Sequence, residues 1–192
     1  MGHCFRFAIV GCGRVAEKYF HHLVVDPIRN GRISAVCDID KERAQAAGQK
    51  YNVPWFDSIE ALIEKKRNSV DVVIVLTPSG LHAEQVISLA PYGKHIVVEK
   101  PMALTLESAD RMIEACDQGG IRLFVVKQNR WNKPVRELRR VLEAGHFGKL
   151  VLGTVRVRWC REQKYYDQDD WRGTWELDGG VFSNQASHHV DL

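Results

Sequence analysis

A strand that runs directly into a glycine-rich turn, FRFAIVGCGRVA at residues 5–16, constrains this chain more than any other stretch. Residues 5–10 form an apolar run of β-formers, which is typical of a strand buried on both faces. Gly11 permits a tight turn, Gly13 lets the main chain approach a pyrophosphate, and Ala16 is small enough for a helix to pack on the strand. The pattern predicts a dinucleotide-binding βα unit, in which the helix N-terminus offers N–H donors to phosphates.

An acidic residue at the expected distance strengthens this interpretation. Asp38 ends the second apolar run, ISAVCD, where a carboxylate would face the ribose hydroxyls of a bound adenosine. Such a carboxylate accepts hydrogen bonds from both hydroxyls and repels a 2′-phosphate. No arginine directly follows it, since the next residues are Ile39 and Asp40. The sequence therefore predicts NAD rather than NADP as the cofactor.

Composition excludes several classes of protein. The net charge of +3 is too small to indicate a nucleic-acid binder, and no apolar run approaches the ~18 residues of a membrane span. The N-terminus enters a strand at once, which leaves no room for a signal peptide. The five cysteines are scattered and include no C-x-x-C pair, so we expect reduced thiols and no metal site. Together these features predict a cytoplasmic protein with no membrane or nucleic-acid partner.

Strands alternate with helices through the first two thirds of the chain. Further strands are predicted at residues 33–37, 71–76, 95–98 and 122–126, and helix N-caps at Asp40, Ser58 and Thr105. This alternation predicts an α/β fold with a doubly wound, largely parallel sheet. We place this Rossmann domain at residues 1–128.

The pattern changes after Gly148. Residues 151–159 alternate between apolar and polar side chains, which predicts a long strand with one covered face. A polar and aromatic loop follows, and a helix is expected from residue 181. One strand and part of one helix cannot bury a core. We therefore expect residues 129–192 to be the beginning of a second, incomplete domain of a C-terminally truncated chain.

Several motifs in order resemble the Gfo/Idh/MocA family of sugar oxidoreductases. They are AIVGCGRVA, AVCDID, TPSGLH, VEKPMALT and a G-G-x-x-x-N-x-x-x-H-x-x-D motif formed by Gly179, Gly180, Asn184, His188 and Asp191. The resemblance implies an NAD-binding Rossmann domain followed by a mixed-sheet α/β substrate domain. It also implies a homo-oligomer, a dimer or tetramer, in the full-length form.

Within that family, the segments QNRWNKPV and YYDQDDWRGTWELDGGVFSNQASHHVDL look most like dehydrogenases of UDP-N-acetylglucosaminuronic acid. The resemblance implies oxidation of the C3 hydroxyl of this nucleotide sugar during bacterial surface-polysaccharide (lipopolysaccharide) biosynthesis. Two alternatives remain open. One is an inositol or other sugar dehydrogenase of the same family, and the other is a non-catalytic NAD-binding module.

The resemblance implies two catalytic residues, Lys100 and His188. Lys100 follows a buried strand, where its ammonium could donate to the reacting hydroxyl or accept its proton; the alternative is an ordinary surface lysine. The family also implies a cis Lys100–Pro101 bond. His188 matches the family's common general base, and α-helical spacing places it on the face of Asn184. Because Asn184 stands where the family commonly has aspartate, the identity of the base stays open.

The remaining site residues form two predicted sets. The cofactor set is Gly11, Gly13, Arg14, Val15, Asp38, Thr77, Pro78, His82, Glu99, Lys100 and Gln128. The substrate set is Lys100, Asn129, Arg130, Tyr166, Arg172, Asn184 and His188. The arginines are included because a UDP-uronate carries a diphosphate and a carboxylate. His82 has an alternative role as a helix cap, and Glu99 one as a structural partner of Lys100.

Overall fold

A computed structural model describes residues 2–192 of the chain. Over these residues the six strands are β1 (Phe5–Val10), β2 (Gly31–Cys37), β3 (Trp55–Phe56), β4 (Val72–Val75), β5 (His95–Val98) and β6 (Leu123–Val125). The eight α-helices are α1 (Ala16–Phe20), α2 (Lys41–Tyr51), α3 (Ile59–Lys66), α4 (His82–Leu89), α5 (Leu106–Gln118), α6 (Lys133–Glu143), α7 (Gln163–Tyr166) and α8 (Ser187–Val190). Short 3₁₀ and π turns lie between some of them.

The six strands form one parallel sheet in the order β3-β2-β1-β4-β5-β6. The chain order reverses at β1, where Val10 is in register with both Cys37 of β2 and Val75 of β4. The carboxyl ends of these three strands therefore meet at one edge of the sheet. In open α/β sheets, ligands bind outside the carboxyl ends of the strands at such a reversal. The predicted doubly wound fold is confirmed.

Side chains of β1 alternate between two buried clusters, one on each face of the sheet. Ala8 and Val10 pack in one cluster, which also contains Met112 of α5. Ile9 packs in the other, together with Phe20 of α1. Because helices cover both faces, strand β1 needs apolar residues at successive positions, which explains the unbroken apolar pattern of its sequence.

Three helices begin directly after the predicted capping residues. The Asp40 carboxylate accepts hydrogen bonds from two main-chain N–H groups of α2, Ser58 accepts one in α3, and Thr105 accepts one in α5. Asn132 directly precedes α6 but makes no side-chain capping bond. The first three caps each satisfy N–H groups that have no partner within the helix.

The helix after the glycine turn is short. Helix α1 ends at Phe20 and is followed by a π turn, His21–Val25, which the Asp26 N–H closes by donating to the His21 carbonyl at 2.8 Å.

None of the helices in residues 2–192 has both the length and the apolar character that crossing a membrane requires.

The chain divides into two compact units, Met1–Val125 and Val126–Leu192. In the second unit, residues 150–162 have no regular secondary structure, so the predicted strand at 151–159 is wrong for this structure. A strand needs a neighbouring strand to complete its main-chain hydrogen bonds, and none of the six strands in residues 2–192 pairs with this segment. Its apolar side chains are exposed, Val151 by 90% and Val155 by 67%.

Candidate dinucleotide-binding and catalytic site

The two glycines of the turn meet different surroundings. Gly11 has φ +94°, and a Cβ placed on it would lie 2.8 Å from the carbonyl carbon of Leu76, just beyond β4. A Cβ on Gly13 would meet no atom within 4 Å. Gly11 is therefore required by the packing of the turn on β4. Gly13 instead borders open space, which is the arrangement that close approach of a pyrophosphate needs.

Two further residues of the cofactor set lie in the same turn. Arg14 is exposed, and Val15 is 39% exposed at the position directly before α1. Ala16 is fully buried, and its N–H donates to the Gly13 carbonyl at 3.0 Å. The turn thus has its predicted shape, and the residues present fit a dinucleotide.

Both carboxylate oxygens of Asp38 already accept main-chain hydrogen bonds. Oδ2 accepts from the Cys12 N–H at 2.8 Å, and Oδ1 accepts from the Asp40 N–H at 2.9 Å. Asp38 is 7% exposed, so its carboxylate ties the glycine turn to the turn before α2. Each oxygen has a second lone pair that can accept from a ribose hydroxyl. Only the contact with the ribose was expected from the sequence.

A cation that was not predicted from the sequence lies beside Asp38. Arg43 does not follow Asp38 directly, but Nη1 lies 4.0 Å from Asp38 Oδ2 and Nη2 lies 3.6 Å from Asp40 Oδ2. A residue three positions after an N-cap lies in the first helical turn, so its side chain can return to the cap. The identity of the N-cap was the signal that could have indicated this contact.

The loops after β4 and β5 are joined by His82, whose side chain is buried. Its Nδ1 lies 2.8 Å from the Pro101 carbonyl oxygen, and its Nε2 lies 3.0 Å from the Thr77 carbonyl oxygen. The Thr77 hydroxyl donates to Gln85 Oε1 at 2.6 Å, and Pro78 directly precedes the 3₁₀ turn, Ser79–Leu81, that leads into α4. The ring thus contacts both loops rather than capping its helix with a side-chain bond.

Glu99 holds the main chain at Lys100. Its Oε2 accepts the Lys100 N–H at 3.1 Å, and its Oε1 accepts the Tyr19 hydroxyl at 2.7 Å. Burial, together with the Glu99 charge, raises the pKa of Tyr19 above its usual range, so this hydroxyl stays a donor. The Lys100–Pro101 bond is cis, as expected. The structure therefore supports the structural alternative for Glu99 and adds Tyr19, whose spacing from Ala16 marks it as part of the inner helix face.

In the second unit, Arg130 is paired with the aspartate of the H-x-x-D motif. Its Nε and Nη2 donate to the two oxygens of Asp191 at 2.8 and 2.6 Å. Lys127 Nζ lies 3.8 Å from the same carboxylate. The hydrogen bonds from Arg130 lower the pKa of Asp191 most, and the charge of Lys127 lowers it further. Gln128 of the cofactor set and Asn129 of the substrate set lie in the same 3₁₀ turn as Arg130.

Asn184 and His188 lie in consecutive turns of different geometry. Residues 182–186 form a π turn, and α8 begins at Ser187. The prediction that Asn184 and His188 share one face assumed α-helical spacing throughout, which the wider π turn changes. Asn184 Nδ2 donates to the carboxylate of Asp178, a residue that is 4% exposed and also accepts the Gly173 N–H.

Arg172 is held inside the second unit rather than on its surface. Its side chain is 7% exposed, and Nε donates to Asp169 Oδ2 at 2.7 Å. Nη1 donates to the Tyr165 hydroxyl at 3.1 Å, and the guanidinium lies 4.4 Å from the centre of the Trp171 ring. The neighbouring Tyr166 packs against Gly173. Arg172 therefore organises this aromatic loop, a role that its spacing in the sequence did not reveal.

One group of described side chains has the composition of a metal site. His21, His22 and Asp26 are exposed, and their candidate ligand atoms lie within 4.8 Å of one another. They belong to the π turn after α1 and the residue that closes it. No metal site was expected from the sequence, and these three residues belong to none of the predicted sites.

Comparisons with known proteins agree with this architecture. The family model GFO_IDH_MocA, "Oxidoreductase family, NAD-binding Rossmann fold", matches residues 5–127, and the "GFO/IDH/MocA C-terminal domain" model matches residues 135–192. Myo-inositol 2-dehydrogenase from Thermotoga maritima is 30% identical over 188 residues, which cover 97% of this chain and 53% of that protein.

Two solved structures are more similar. They are the WlbA dehydrogenases from Bordetella pertussis and Chromobacterium violaceum, each in complex with NADH and UDP-GlcNAcA, at 42% and 41% identity and a TM-score of 0.94. Each match covers 100% of this chain and 55% of the other, so the chain spans about half the length of these relatives. The chain belongs to the Gfo/Idh/MocA family of oxidoreductases, and its first unit has the NAD-binding Rossmann fold of that family.

Proposed function

We propose that the protein is an NAD-dependent dehydrogenase that oxidises the C3 hydroxyl of UDP-N-acetylglucosaminuronate. The observation that carries this proposal is the similarity, over the whole chain, to two dehydrogenases crystallised with NADH and UDP-GlcNAcA. The reaction would serve bacterial surface-polysaccharide synthesis, and the full-length protein would act as a dimer or tetramer.

The residues of the first unit would hold NAD at the edge of the sheet where β1, β2 and β4 end. Gly13 borders the open space for the pyrophosphate, and Asp38 fixes the turn while offering its remaining lone pairs to the ribose. The nicotinamide ring of bound NAD supplies the acceptor for the C3 hydride.

Lys100 is the residue that we assign to the reacting hydroxyl. Its main chain is fixed by Glu99, so its side chain projects from an anchored position just after β5. An ammonium there donates a hydrogen bond to the hydroxyl, and a neutral amine accepts its proton. His188 is the alternative base, because an imidazole titrates near neutral pH.

Arg130 is better placed than Arg172 to bind the anionic groups of the substrate. Its side chain is 56% exposed although it is paired with Asp191, so part of the guanidinium faces solvent. Arg172 is 7% exposed and enclosed by Asp169 and aromatic rings. We therefore propose that Arg130 contacts the substrate and that Arg172 keeps the loop around Tyr166 in shape.

The test is turnover by the purified protein with NAD, followed by NADH absorbance. We expect absorbance to rise with UDP-N-acetylglucosaminuronate and to be abolished in Lys100→Ala. Lys94→Ala is the matched control, because Lys94 directly precedes the same strand, β5, at its opposite end. Persistent turnover in Lys100→Ala, with none in His188→Ala, would transfer the role of base to His188.

A second candidate function is supported by the relatives of lower identity. Myo-inositol 2-dehydrogenase acts on a polyol without a nucleotide, and such an enzyme needs no site for a diphosphate. A panel of myo-inositol, scyllo-inositol and the nucleotide sugar separates the two functions. NAD binding without turnover of any of these substrates would instead support a non-catalytic module.

A further inference from the structure

The His82 ring bridges two loops that follow neighbouring strands. It is 1% exposed, and its two nitrogens face main-chain carbonyl oxygens, Pro101 at 2.8 Å and Thr77 at 3.0 Å. We call residues 76–81 the β4 loop and residues 99–105 the β5 loop. The β5 loop contains Lys100, which directly precedes one of the two bridged carbonyls.

The protonation state of His82 determines how many hydrogen bonds its ring can donate to the two carbonyl oxygens. A carbonyl oxygen only accepts, a neutral imidazole has one N–H, and an imidazolium has two. A neutral ring therefore donates to one loop at a time, whereas a charged ring donates to both. Burial lowers the pKa of His82, while its two carbonyl contacts and the Glu99 charge oppose that effect and the Lys100 charge adds to it.

We propose that His82 is a positioning residue that holds the main chain of Lys100 against the β4 loop. Lys100 then has two anchors, because Glu99 accepts its N–H on one side and His82 contacts the next carbonyl on the other. The β4 loop carries Thr77 and Pro78 of the cofactor set, so the bridge fixes Lys100 relative to that set. The consequence for catalysis rests on the function proposed above; the bridge itself does not.

Two substitutions separate the two contacts. The asparagine Nδ2 is as far along the side chain as histidine Nδ1, so His82→Asn can keep the bond to Pro101. The glutamine Nε2 corresponds to histidine Nε2, so His82→Gln can keep the bond to Thr77. His82→Leu removes both contacts. His95→Gln is the matched control, since His95 opens β5 and its Nδ1 accepts the Arg122 N–H instead.

Amide hydrogen exchange in this chain tests the bridge without requiring activity. We expect exchange about tenfold faster in both loops for His82→Leu, only in the β4 loop for His82→Asn, and only in the β5 loop for His82→Gln. His95→Gln should leave both loops unchanged. Unchanged exchange in folded Asn and Gln variants would overturn the proposal, even if the Leu variant does not fold.

Kinetics then test the link to Lys100. If the wild-type protein turns over, we expect kcat of His82→Gln to be about tenfold to a hundredfold below that of His82→Asn, with a similar KM for NAD. Equal kcat values in these two variants would overturn the link to Lys100. The loop-specific exchange pattern without any wild-type turnover would support the bridge and contradict the proposed function instead.

Discussion

Replacing Gly11 with alanine should destabilise the first unit strongly. A residue other than glycine at a positive φ costs about 1–3 kcal/mol, and Gly11 has φ +94°. The new Cβ would also lie 2.8 Å from the main chain of Leu76, and relieving such an overlap costs about 1–3 kcal/mol more. The expected loss of about 2–6 kcal/mol is a large part of the ~5–15 kcal/mol that stabilises a typical domain.

Gly13→Ala is the matched substitution two residues later. Its Cβ meets no protein atom within 4 Å, so the free energy of unfolding should change by about 0.5 kcal/mol or less. The same Cβ would occupy the space that we assign to the pyrophosphate. We therefore expect the Kd for NAD to rise about tenfold or more in a protein of normal stability.

Urea denaturation and calorimetric titration with NAD measure the two effects separately. The account requires Gly11→Ala to lose stability and Gly13→Ala to lose NAD affinity while keeping stability. Wild-type stability of Gly11→Ala would refute the argument from close packing on Leu76. Wild-type NAD affinity of Gly13→Ala would mean that the pyrophosphate does not lie over this glycine.

Three further predictions concern charge and thiol chemistry. Asp71 accepts two hydrogen bonds from the Arg6 guanidinium at 2.7 and 2.9 Å, which lower the pKa of its carboxyl. The stability that this ion pair contributes is present above the unfolded pKa of ~4 and is lost as the pH falls toward the lower folded value. The urea midpoint of Asp71→Asn should therefore differ from that of the wild type at pH 7, and the two midpoints should converge in acid. Burial raises the pKa of Cys12 to about 12, so iodoacetamide at mildly alkaline pH should label the exposed Cys4 well before Cys12. Equal labelling of the two thiols, measured by mass spectrometry, would contradict the buried environment of Cys12. Arg130→Ala should raise the Kd for the nucleotide sugar about tenfold while leaving that for NAD unchanged, whereas an equal effect on both ligands in calorimetry would remove Arg130 from the substrate site.

Features encoded by neighbouring residues could be predicted from the sequence. The turn at Gly11, the caps at Asp40, Ser58 and Thr105, and the buried strands all depend on local patterns that have one favourable structural solution. The alternation of strands and helices then leaves few sheet topologies. Because the strand ends meet at one edge, the positions of Asp38 and Lys100 followed from the same pattern.

Features that depend on distant partners could not be predicted. Nothing local indicates that Tyr19 reaches Glu99, that His82 reaches Pro101, or that Arg172 is enclosed by aromatic rings. The strand predicted at residues 151–159 does not form in the structure for the same reason. Alternation shows that a segment suits a half-covered sheet, but a strand forms only where another strand supplies its hydrogen bonds.

Calorimetric titration with UDP-N-acetylglucosaminuronate in the presence of NADH tests the central claim most directly. The account predicts saturable binding of the nucleotide sugar and no binding of myo-inositol or scyllo-inositol under the same conditions. Binding of an inositol without binding of the nucleotide sugar would contradict the proposed substrate.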